Sequence, residues 1–506
     1  MFRTVSDSTL PDVSIAAGPN HVGEIVNLSI GIFTKQGTLV SSAYLNSFFP
    51  VSISDHIGDP KLLYDSQSGR WFSSLLDITT NRVVLGVSNT SDPSDLINGW
   101  YFYDLGFTEC PDQPKIGISD DKLVISANDF TNHCGDTGIP SFVGTEYQIL
   151  NKSQLVAASS VSIQGFVPDA SSFSITPVQD LSSTETMFMV ENLFNTVRVY
   201  TISGSVPSAT ITSYDLSIVP SNFPPSAAQP STSIVLDTGD NRIQDAKWSQ
   251  GKIWLAFNDG CTPFGDSQSR SCIHLIQINT ASSTLSQDFR ISSSGYYYFY
   301  PAVGIDSFGG LDLVFGFTSS SSVRYPSIAI SGQAAADTPN TIRPPQTLRE
   351  GTVPDIEPVQ AGFVGTRFGD YFGAALDPSA PERVWVGGEY QTLSSTFYSP
   401  SPWSTFIGSI GLPVSHVISI SESLTIAESI QTLKIVGCLP PNSGDWVITT
   451  SCTLGKSAAA PANVIVQNNS VLIIPNGKSL NIDFTHNHLL VKKGSGVLIK
   501  SGAKIF

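Results

Sequence analysis

One pattern of apolar and polar positions recurs along most of the chain. A polar or proline-containing knot leads into a short apolar strand, a turn follows, often after an aspartate, and a second apolar strand comes next. Further alternating runs, such as RVVLGVSN and SCIHLIQIN, come after several copies, which predicts four strands in each unit. The seven copies begin at Pro11, Gly58, Asp112, Phe173, Asp240, Tyr300 and Phe368.

A four-stranded unit of this kind cannot cover both of its faces by itself. Radial stacking supplies the missing cover from neighbouring units and leaves only short sheet edges, as in a β-propeller. Small residues in the first strands, such as Gly117, Gly304 and Gly373, fit a crowded central channel. Bulky residues at matching places in the second strands fit packing between blades, and they are Trp71, Trp254 and Trp385. We therefore predict an all-β protein with a seven-bladed β-propeller.

The composition changes after the last copy, which predicts three parts. The propeller is assigned to residues 11–411, a Ser/Glu/Ile-rich linker to 412–432, and a small β-rich C-terminal module to 433–506. The module alternates strictly and is interrupted by Asn-Asn, Asn-Gly and Gly-Ser-Gly turns, so we expect a few coils of a β-solenoid. Its lysines suit either self-association or docking onto an acidic envelope, or they protect exposed strand edges.

Charge and apolar content narrow the class of partner. The net charge is −16 and the pI is about 4.7, which argues against nucleic acid and against an anionic membrane surface. No apolar run is long enough to predict a membrane span. The start, MFRTVSDSTLPDV, shows no signal peptide, and we expect that a leader has been trimmed.

The six cysteines fall into three close pairs around polar segments. We predict the disulfides Cys110–Cys134, Cys261–Cys272 and Cys438–Cys452, the alternative being six unrelated reduced thiols. No pair has metal-binding spacing, so no metal site is expected from cysteine. Disulfides indicate an extracellular or cell-surface location. Four sequons are compatible with glycosylation at Asn27, Asn89, Asn151 and Asn468.

The copies also resemble a known group of proteins. The segments RFGDYFGAALDP…VWVGGEY and YPAVGID…YPSIAIS resemble extracellular seven-bladed β-propellers of the broad sialidase-like group, over residues 11–411. YDSQSGRWF resembles a sialidase Asp-box with a longer Asp-to-Gly gap. The linker and tail resemble parts of exported surface proteins of ammonia-oxidising archaea. These resemblances imply a propeller fold and an exported archaeal protein.

The polar knots supply the candidate site. In a propeller, the loops that lead into the innermost strands gather at one mouth of the channel, so charged residues from several blades converge there. Such a funnel suits an anionic glycan or polymer, with lysines and arginines that bind carboxylate or sulfate. The alternative is that these cations and carboxylates pair with each other and hold the blades in register. The candidate residues are His21, Asp59, Lys61, Asp112, Lys115, Asp240, Arg242, Tyr300, Arg367, Asp370 and Tyr371.

We therefore expect an exported binding or structural protein at the cell surface rather than an enzyme. Its expected partner is a glycan or another component of the cell envelope. One alternative is a glycan-active hydrolase or lyase that uses carboxylates of the funnel as acid and base. Another is a subunit of a surface lattice or fibre that assembles through the C-terminal module. No cofactor is expected, and calcium near Asp306 and Asp312 is the one cation left open.

Overall fold

The structure, a computed structural model of the 506-residue chain, describes residues 2–4, 10–131, 134, 140–356, 364–392, 403–411 and 438–506. The chain divides into two compact units, Met1–His416 and Val417–Phe506. The predicted linker 412–432 lies outside the described residues, so the three-part division stays a prediction. Within the described ranges, no helix has both the length and the apolar character that crossing a membrane requires.

The first unit consists of antiparallel sets of four strands, which we call blades 1 to 7 in chain order. The innermost strand of each set overlaps one of the seven repeated segments, so the predicted propeller is confirmed. From innermost to outermost, the strands of blades 1 to 3 are Ser14–Ala17, His21–Val26, Ser29–Thr34 and Leu39–Tyr44; Ile57–Asp65, Arg70–Asp77, Arg82–Ser88 and Trp100–Gly106; and Cys110–Ile118, Lys122–Thr131, Ser141–Asn151 and Ile163–Asp169.

Blades 4 to 7 repeat this order. Their strands are Thr176–Pro177, Met187–Asn192, Thr196–Ser203 and Thr210–Ser217; Ile243–Ser249, Lys252–Cys261, Arg270–Asn279 and Thr284–Ile291; Tyr297–Ile305, Leu311–Ser319, Arg324–Gln333 and Gln346–Arg349; and Gly373–Leu376, Val384–Gln391, Trp403–Ile410 and Phe2–Thr4. The outermost strand of blade 7 therefore comes from the start of the chain, which pairs antiparallel with Trp403–Ile410.

The ring of blades is closed. The innermost strand of each blade contacts the innermost strands of both neighbours, and blade 7 contacts blade 1 in the same way. Small residues permit this approach, because a Cβ on Gly117 would lie 2.5 Å from the Val178 carbonyl oxygen of blade 4. A Cβ on Gly373 would lie 2.8 Å from the Ile15 nitrogen of blade 1. The expectation of small residues around the channel is thus confirmed.

Short elements complete the described part of the first unit. The strand Gln179–Asp180 pairs in parallel with the innermost strands of blades 3 and 5. A two-stranded sheet, two short helices and one 3-10 turn are found at Ala227–Ala228 with Val235–Leu236, Leu45–Phe48, Lys152–Val156 and Ile78–Thr80.

Buried aromatic residues and disulfides hold the blades as the sequence predicts. Trp71, Trp254 and Trp385 are buried in the second strands of blades 2, 5 and 7. The predicted disulfides are confirmed, and they are Cys110–Cys134, Cys261–Cys272 and Cys438–Cys452.

The second unit is a parallel β-solenoid over residues 438–506. Its strands stack in register as three coils with three faces, around a core that includes Val464, Leu472 and Leu480. This confirms the predicted β-rich, solenoid-like module. The coils are Trp446–Ile448, Cys452–Thr453 and Ala458–Ala459; Val464–Val466, Val471–Ile474 and Ser479–Asn481; and Leu489–Val491, Gly496–Ile499 and Lys504–Ile505.

Candidate functional site

The residues that lead into the innermost strands lie together at one end of the channel, and we call this end the mouth. A left-handed backbone conformation recurs among them. In five blades one residue there has a left-handed conformation, with φ between 46° and 58°, and these are Asp12, Asp59, Gln113, Ser174 and Tyr300. Such a conformation costs on the order of 1–3 kcal/mol for a residue other than glycine. In three of these blades the pairing register shifts at the same place. The bulge thus reorients the chain where each innermost strand begins.

Three carboxylates from different blades meet at the mouth. Oxygen atoms of Asp12, Asp59 and Asp370, in blades 1, 2 and 7, lie within 4.8 Å of one another. The Asp370 amide donates to Asp12 Oδ1 over 2.7 Å. Asp59 accepts hydrogen bonds from the backbone amide of Gln113 over 3.1 Å and from the Tyr371 hydroxyl over 3.1 Å. Hydrogen bonds across blade boundaries therefore hold like charges close together. We call these three residues the carboxylate cluster.

Asn27 links two members of this cluster. Its Nδ2 donates to Asp12 Oδ2 over 2.6 Å, and its Oδ1 accepts from the Asp59 amide over 3.0 Å. The sequence offers Asn27 as a glycosylation site, whereas the structure uses both ends of its amide inside the protein. We therefore do not expect a glycan at this position. Glycosylation at Asn89, Asn151 and Asn468 stays a prediction.

The predicted cations lie at the mouth, but the protein itself engages them. Arg242 donates to both oxygens of Asp240, over 2.8 and 2.6 Å, and also contacts Gln113. Arg367 pairs with Asp370. The charged residues therefore converge at the mouth and also pair with each other, while binding of a glycan there stays a prediction.

The two lysines occupy uncommon environments. Lys115 is buried, and its Nζ donates to Ser174 Oγ, Thr176 Oγ1 and the Ile243 carbonyl over 3.0, 2.9 and 2.7 Å. Lys61 places its Nζ 2.9 Å from the centroid of the Tyr371 ring, a cation–π contact. Both side chains line a narrow cavity of about 80 Å³ inside the channel.

The pKa values at the mouth are shifted by burial and by neighbouring charge. Burial, followed by the charges of Asp370 and Asp59, raises the pKa of Asp12 to about 8. Burial, followed by the charges of Asp112 and Asp370, raises the pKa of Asp59 to about 6. Burial lowers the pKa of Lys61 to about 8, against the attraction of Asp59 and Asp12. The carboxylate cluster therefore carries more negative charge than its surroundings stabilise.

The structure places two of the predicted residues differently. His21 lies after the turn that ends the innermost strand of blade 1, with Nδ1 3.6 Å from Asp92, so it is at the opposite end of that strand from the mouth. Tyr300 belongs to the mouth by position but is buried, with its hydroxyl directed to the Asp237 carbonyl over 3.2 Å. Burial raises its pKa well above the usual value. We therefore take neither residue as part of the candidate site.

Asp306, considered for calcium together with Asp312, is engaged in a turn, and calcium at this pair stays a prediction. Asp306 Oδ1 accepts from the amides of Phe308 and Gly310, which is turn chemistry. Asp312 is buried, and burial followed by the charge of Asp306 raises its pKa to about 8.

Comparisons with known proteins support no further assignment. No protein-family model matches the chain, and no curated protein matches its sequence. Among solved structures, it is similar to a protein of unknown function from Dyadobacter fermentans (12% identity, 71% of this chain and 95% of that chain, TM-score 0.36). It is also similar to extracellular domains 1–2 of Drosophila semaphorin 1a (10% identity, 83% and 90%, TM-score 0.37). A quinonprotein alcohol dehydrogenase-like protein from Bacteroides thetaiotaomicron is similar at 13% identity (68% and 68%, TM-score 0.35). The seven-bladed assignment therefore rests on strand pairing.

Proposed function

We propose that this protein is an extracellular binding protein that holds a divalent cation of the calcium class at the mouth of its propeller. The observation that carries the proposal is the carboxylate cluster, whose oxygen atoms lie within 4.8 Å of one another. Calcium prefers carboxylate, carbonyl and amide oxygens. Asp12, Asp59 and Asp370 would supply carboxylate oxygens to the ion, and a cation there would offset the repulsion that raises the pKa of Asp12 and of Asp59.

The positive groups of the mouth do not neutralise the whole cluster. Among the described residues, neither Asp12 nor Asp59 forms an ion pair with a lysine or arginine within 4 Å, while Asp370 pairs with Arg367. Lys61 is directed over the ring of Tyr371, and Arg242 is occupied by Asp240. A bound cation would therefore supply the direct charge partner that Asp12 and Asp59 do not have among the described residues.

An extracellular location is supported by three disulfides within the described residues, which persist in oxidising compartments. Recognition of an anionic glycan, self-association through the C-terminal unit and an archaeal surface origin stay predictions. The lysine and arginine side chains expected to bind a glycan at the mouth already have partners in the protein. We therefore propose a divalent cation, rather than a glycan, as the ligand of this site.

A glycan-active hydrolase or lyase is the second candidate function. It is favoured by two carboxyl groups with separated pKa values, about 8 for Asp12 and about 6 for Asp59, at one concave site. Turnover of sialyl or uronic-acid glycosides that is lost in Asp59→Asn would support this candidate. Calcium binding without turnover supports the first.

Calorimetric titration of the EDTA-treated full chain with calcium chloride tests the proposed function. We expect one site per chain, and at least tenfold weaker binding in Asp59→Asn, a loss of about 1.4 kcal/mol or more. Asp104→Asn is the matched control, since Asp104 is an exposed aspartate that pairs with Arg82 away from the mouth. Absence of binding at millimolar calcium, or equal binding in Asp59→Asn, would contradict the proposal.

A further inference from the structure

An open cleft of about 570 Å³ lies at the end of blade 5 where the second strand ends and the third begins, and it shares no lining residue with the carboxylate cluster. It is formed around the disulfide Cys261–Cys272, which joins the second and third strands of the blade where they pair. Arg290 is the charged residue among those that line it. The lining residues are Asn222, Gly260, Cys261, Thr262, Ser269, Arg290 and Ser292. We call it the Arg290 cleft.

Two nitrogens of the Arg290 guanidinium donate hydrogen bonds within the protein, which fixes its orientation. Its Nε donates to Asp259 Oδ2 over 2.5 Å, and its Nη2 donates to the Pro220 carbonyl. Asp259 is buried, and its Oδ1 accepts a hydrogen bond from the backbone amide of Asn222 over 2.7 Å. Within the described part of the chain Nη1 has no hydrogen-bond acceptor, and the Arg290 side chain is 23% exposed. The cleft is thus lined by an arginine with an ordered orientation and a free donor edge.

The Asp259 carboxylate that Arg290 contacts is shared with a histidine. His274 is buried between Asp259 and Asp288, with Nδ1 2.9 Å from Asp259 Oδ2 and Nε2 2.6 Å from Asp288 Oδ1. Burial by itself disfavours the imidazolium, but hydrogen bonds to both aspartates outweigh it and raise the pKa of His274. Asp259 is therefore shared between the Arg290 guanidinium and the His274 ring, and protonation of His274 offsets part of the negative charge that faces Arg290.

We propose that the Arg290 cleft binds the anionic group of an acidic sugar, a carboxylate or a sulfate. Arginine is suited to such oxyanions because its planar donors match their oxygen atoms, and pre-ordering reduces the entropy lost on binding. The exposed Asn222, Thr262, Ser269 and Ser292 side chains provide donors and acceptors for sugar hydroxyls. The volume of the cleft accommodates one or two sugar rings. This site is separate from the proposed cation site and does not depend on it.

Calorimetric titration of the full chain with a tetrasaccharide that contains glucuronate tests the proposal, beside the same tetrasaccharide after carboxyl reduction. A sulfated neutral tetrasaccharide distinguishes the two sources of negative charge. We expect the glucuronate or the sulfate form to bind, and the carboxyl-reduced form to bind at least tenfold more weakly. Arg290→Gln is expected to weaken binding of the acidic form at least tenfold.

Because Arg290 contacts buried Asp259, a second variant leaves that network intact. Ser269→Glu adds a negative charge to the exposed rim of the cleft. We expect it to weaken the binding of acidic saccharides about tenfold. Ser282→Glu is its matched control, since Ser282 is an exposed serine in the turn at the other end of blade 5. Binding that is equal for acidic and reduced saccharides, or unchanged in Ser269→Glu, would overturn the proposal. Inorganic sulfate that binds as tightly as the saccharides would overturn its sugar component.

Discussion

The mouth of the channel and the Arg290 cleft contain similar charged residues in opposite arrangements. At the mouth, Asp12 and Asp59 face Asp370, while Arg242 is bound to Asp240 on both oxygens. In the cleft the carboxylates are compensated instead, because His274 lies between two aspartates and Arg290 is left with a free edge. In the first region two carboxylates are therefore left without a directly paired cation, and in the second an arginine has one donor nitrogen without an acceptor among the described residues.

This difference shows that charge count is a poor guide to ligand charge. The mouth gathers lysines and arginines from several blades, which made an anionic ligand the natural expectation from sequence. In the structure those lysines and arginines have partners in the protein, and the three carboxylates of the cluster lie close together. A buried charge is costly unless it is paired, so the partner of each group decides what a site can still bind.

The largest expected effect is the change in stability when an aspartate is replaced. We expect this change to have opposite signs at the mouth and at the Arg290 cleft. Asp259→Ala should lower the free energy of unfolding by about 3–5 kcal/mol, because it leaves His274 and Arg290 without their buried carboxylate. Asp59→Asn should instead raise it by about 1 kcal/mol in the absence of calcium, since it removes a carboxylate whose ionisation burial and the charges of Asp112 and Asp370 disfavour. Urea denaturation of EDTA-treated protein at pH 7 measures both.

Asp104→Asn serves as the control for a generic effect of losing an aspartate, since its carboxylate is 60% exposed. If Asp259→Ala and Asp59→Asn destabilise equally, the contrast drawn between the two regions is wrong.

A smaller effect is expected in the dependence of stability on pH. The pKa of Asp12 is raised to about 8, so between about pH 4 and pH 8 the folded state binds more protons than the unfolded state. Stability should therefore fall as pH rises through this window without calcium, by up to about 1.4 kcal/mol per pH unit. The raised pKa of His274 acts in the same direction, with stability that is present below pH 6.5 and lost as pH rises through its folded pKa.

Variants separate the two contributions. Asp12→Asn should remove the contribution of Asp12 between about pH 4 and pH 8, and it should keep the contribution that His274 makes above pH 6.5. Urea midpoints at pH 5, 6, 7 and 8 measure the slope, and saturating calcium should reduce it in the wild type. A slope that Asp12→Asn leaves unchanged would show that the cluster does not share protons as the geometry indicates.

The architecture was accessible from sequence because it depends on repetition. Seven copies of one strand pattern predict seven equivalent blades, and small residues such as Gly117 and Gly373 predict the crowded channel. The cysteine pairs were predictable because each encloses a short polar loop. These features follow from local patterns and from the need of each blade to cover its faces.

The site was only partly predictable, because its chemistry depends on which side chains meet. Asp12 was missed although DVSIA aligns with DPKLL of the second copy, where Asp59 was selected. Asn27 was read only as a sequon, yet it bridges Asp12 and Asp59. His21 was included through its neighbourhood in sequence, although a turn separates it from the mouth. For the Arg290 cleft, the spacing of Asp259, His274, Asp288 and Arg290 has no short motif, since three strands bring them together.

The smallest effect concerns one hydroxyl of the mouth. The Tyr371 hydroxyl donates to Asp59 Oδ1, and this bond lowers the pKa of Asp59 against the burial that raises it. Tyr371→Phe keeps the ring beneath Lys61 and removes only the donor, so we expect a higher pKa for Asp59 and a stability change of about 1 kcal/mol or less. Protons should then compete better with calcium, which weakens calcium binding about threefold at pH 6 and very little at pH 8.

Calorimetry at the two pH values measures this difference, and Arg290→Gln should leave calcium binding unchanged at both. An equal loss of affinity at pH 6 and pH 8 in Tyr371→Phe would mean that the hydroxyl shapes the site rather than the protonation of Asp59. Because Asp59 is ionised in wild type and variant alike at pH 8, only an effect through its proton disappears there. The pair of measurements therefore separates charge from geometry at the mouth, which is the distinction on which its contrast with the Arg290 cleft depends.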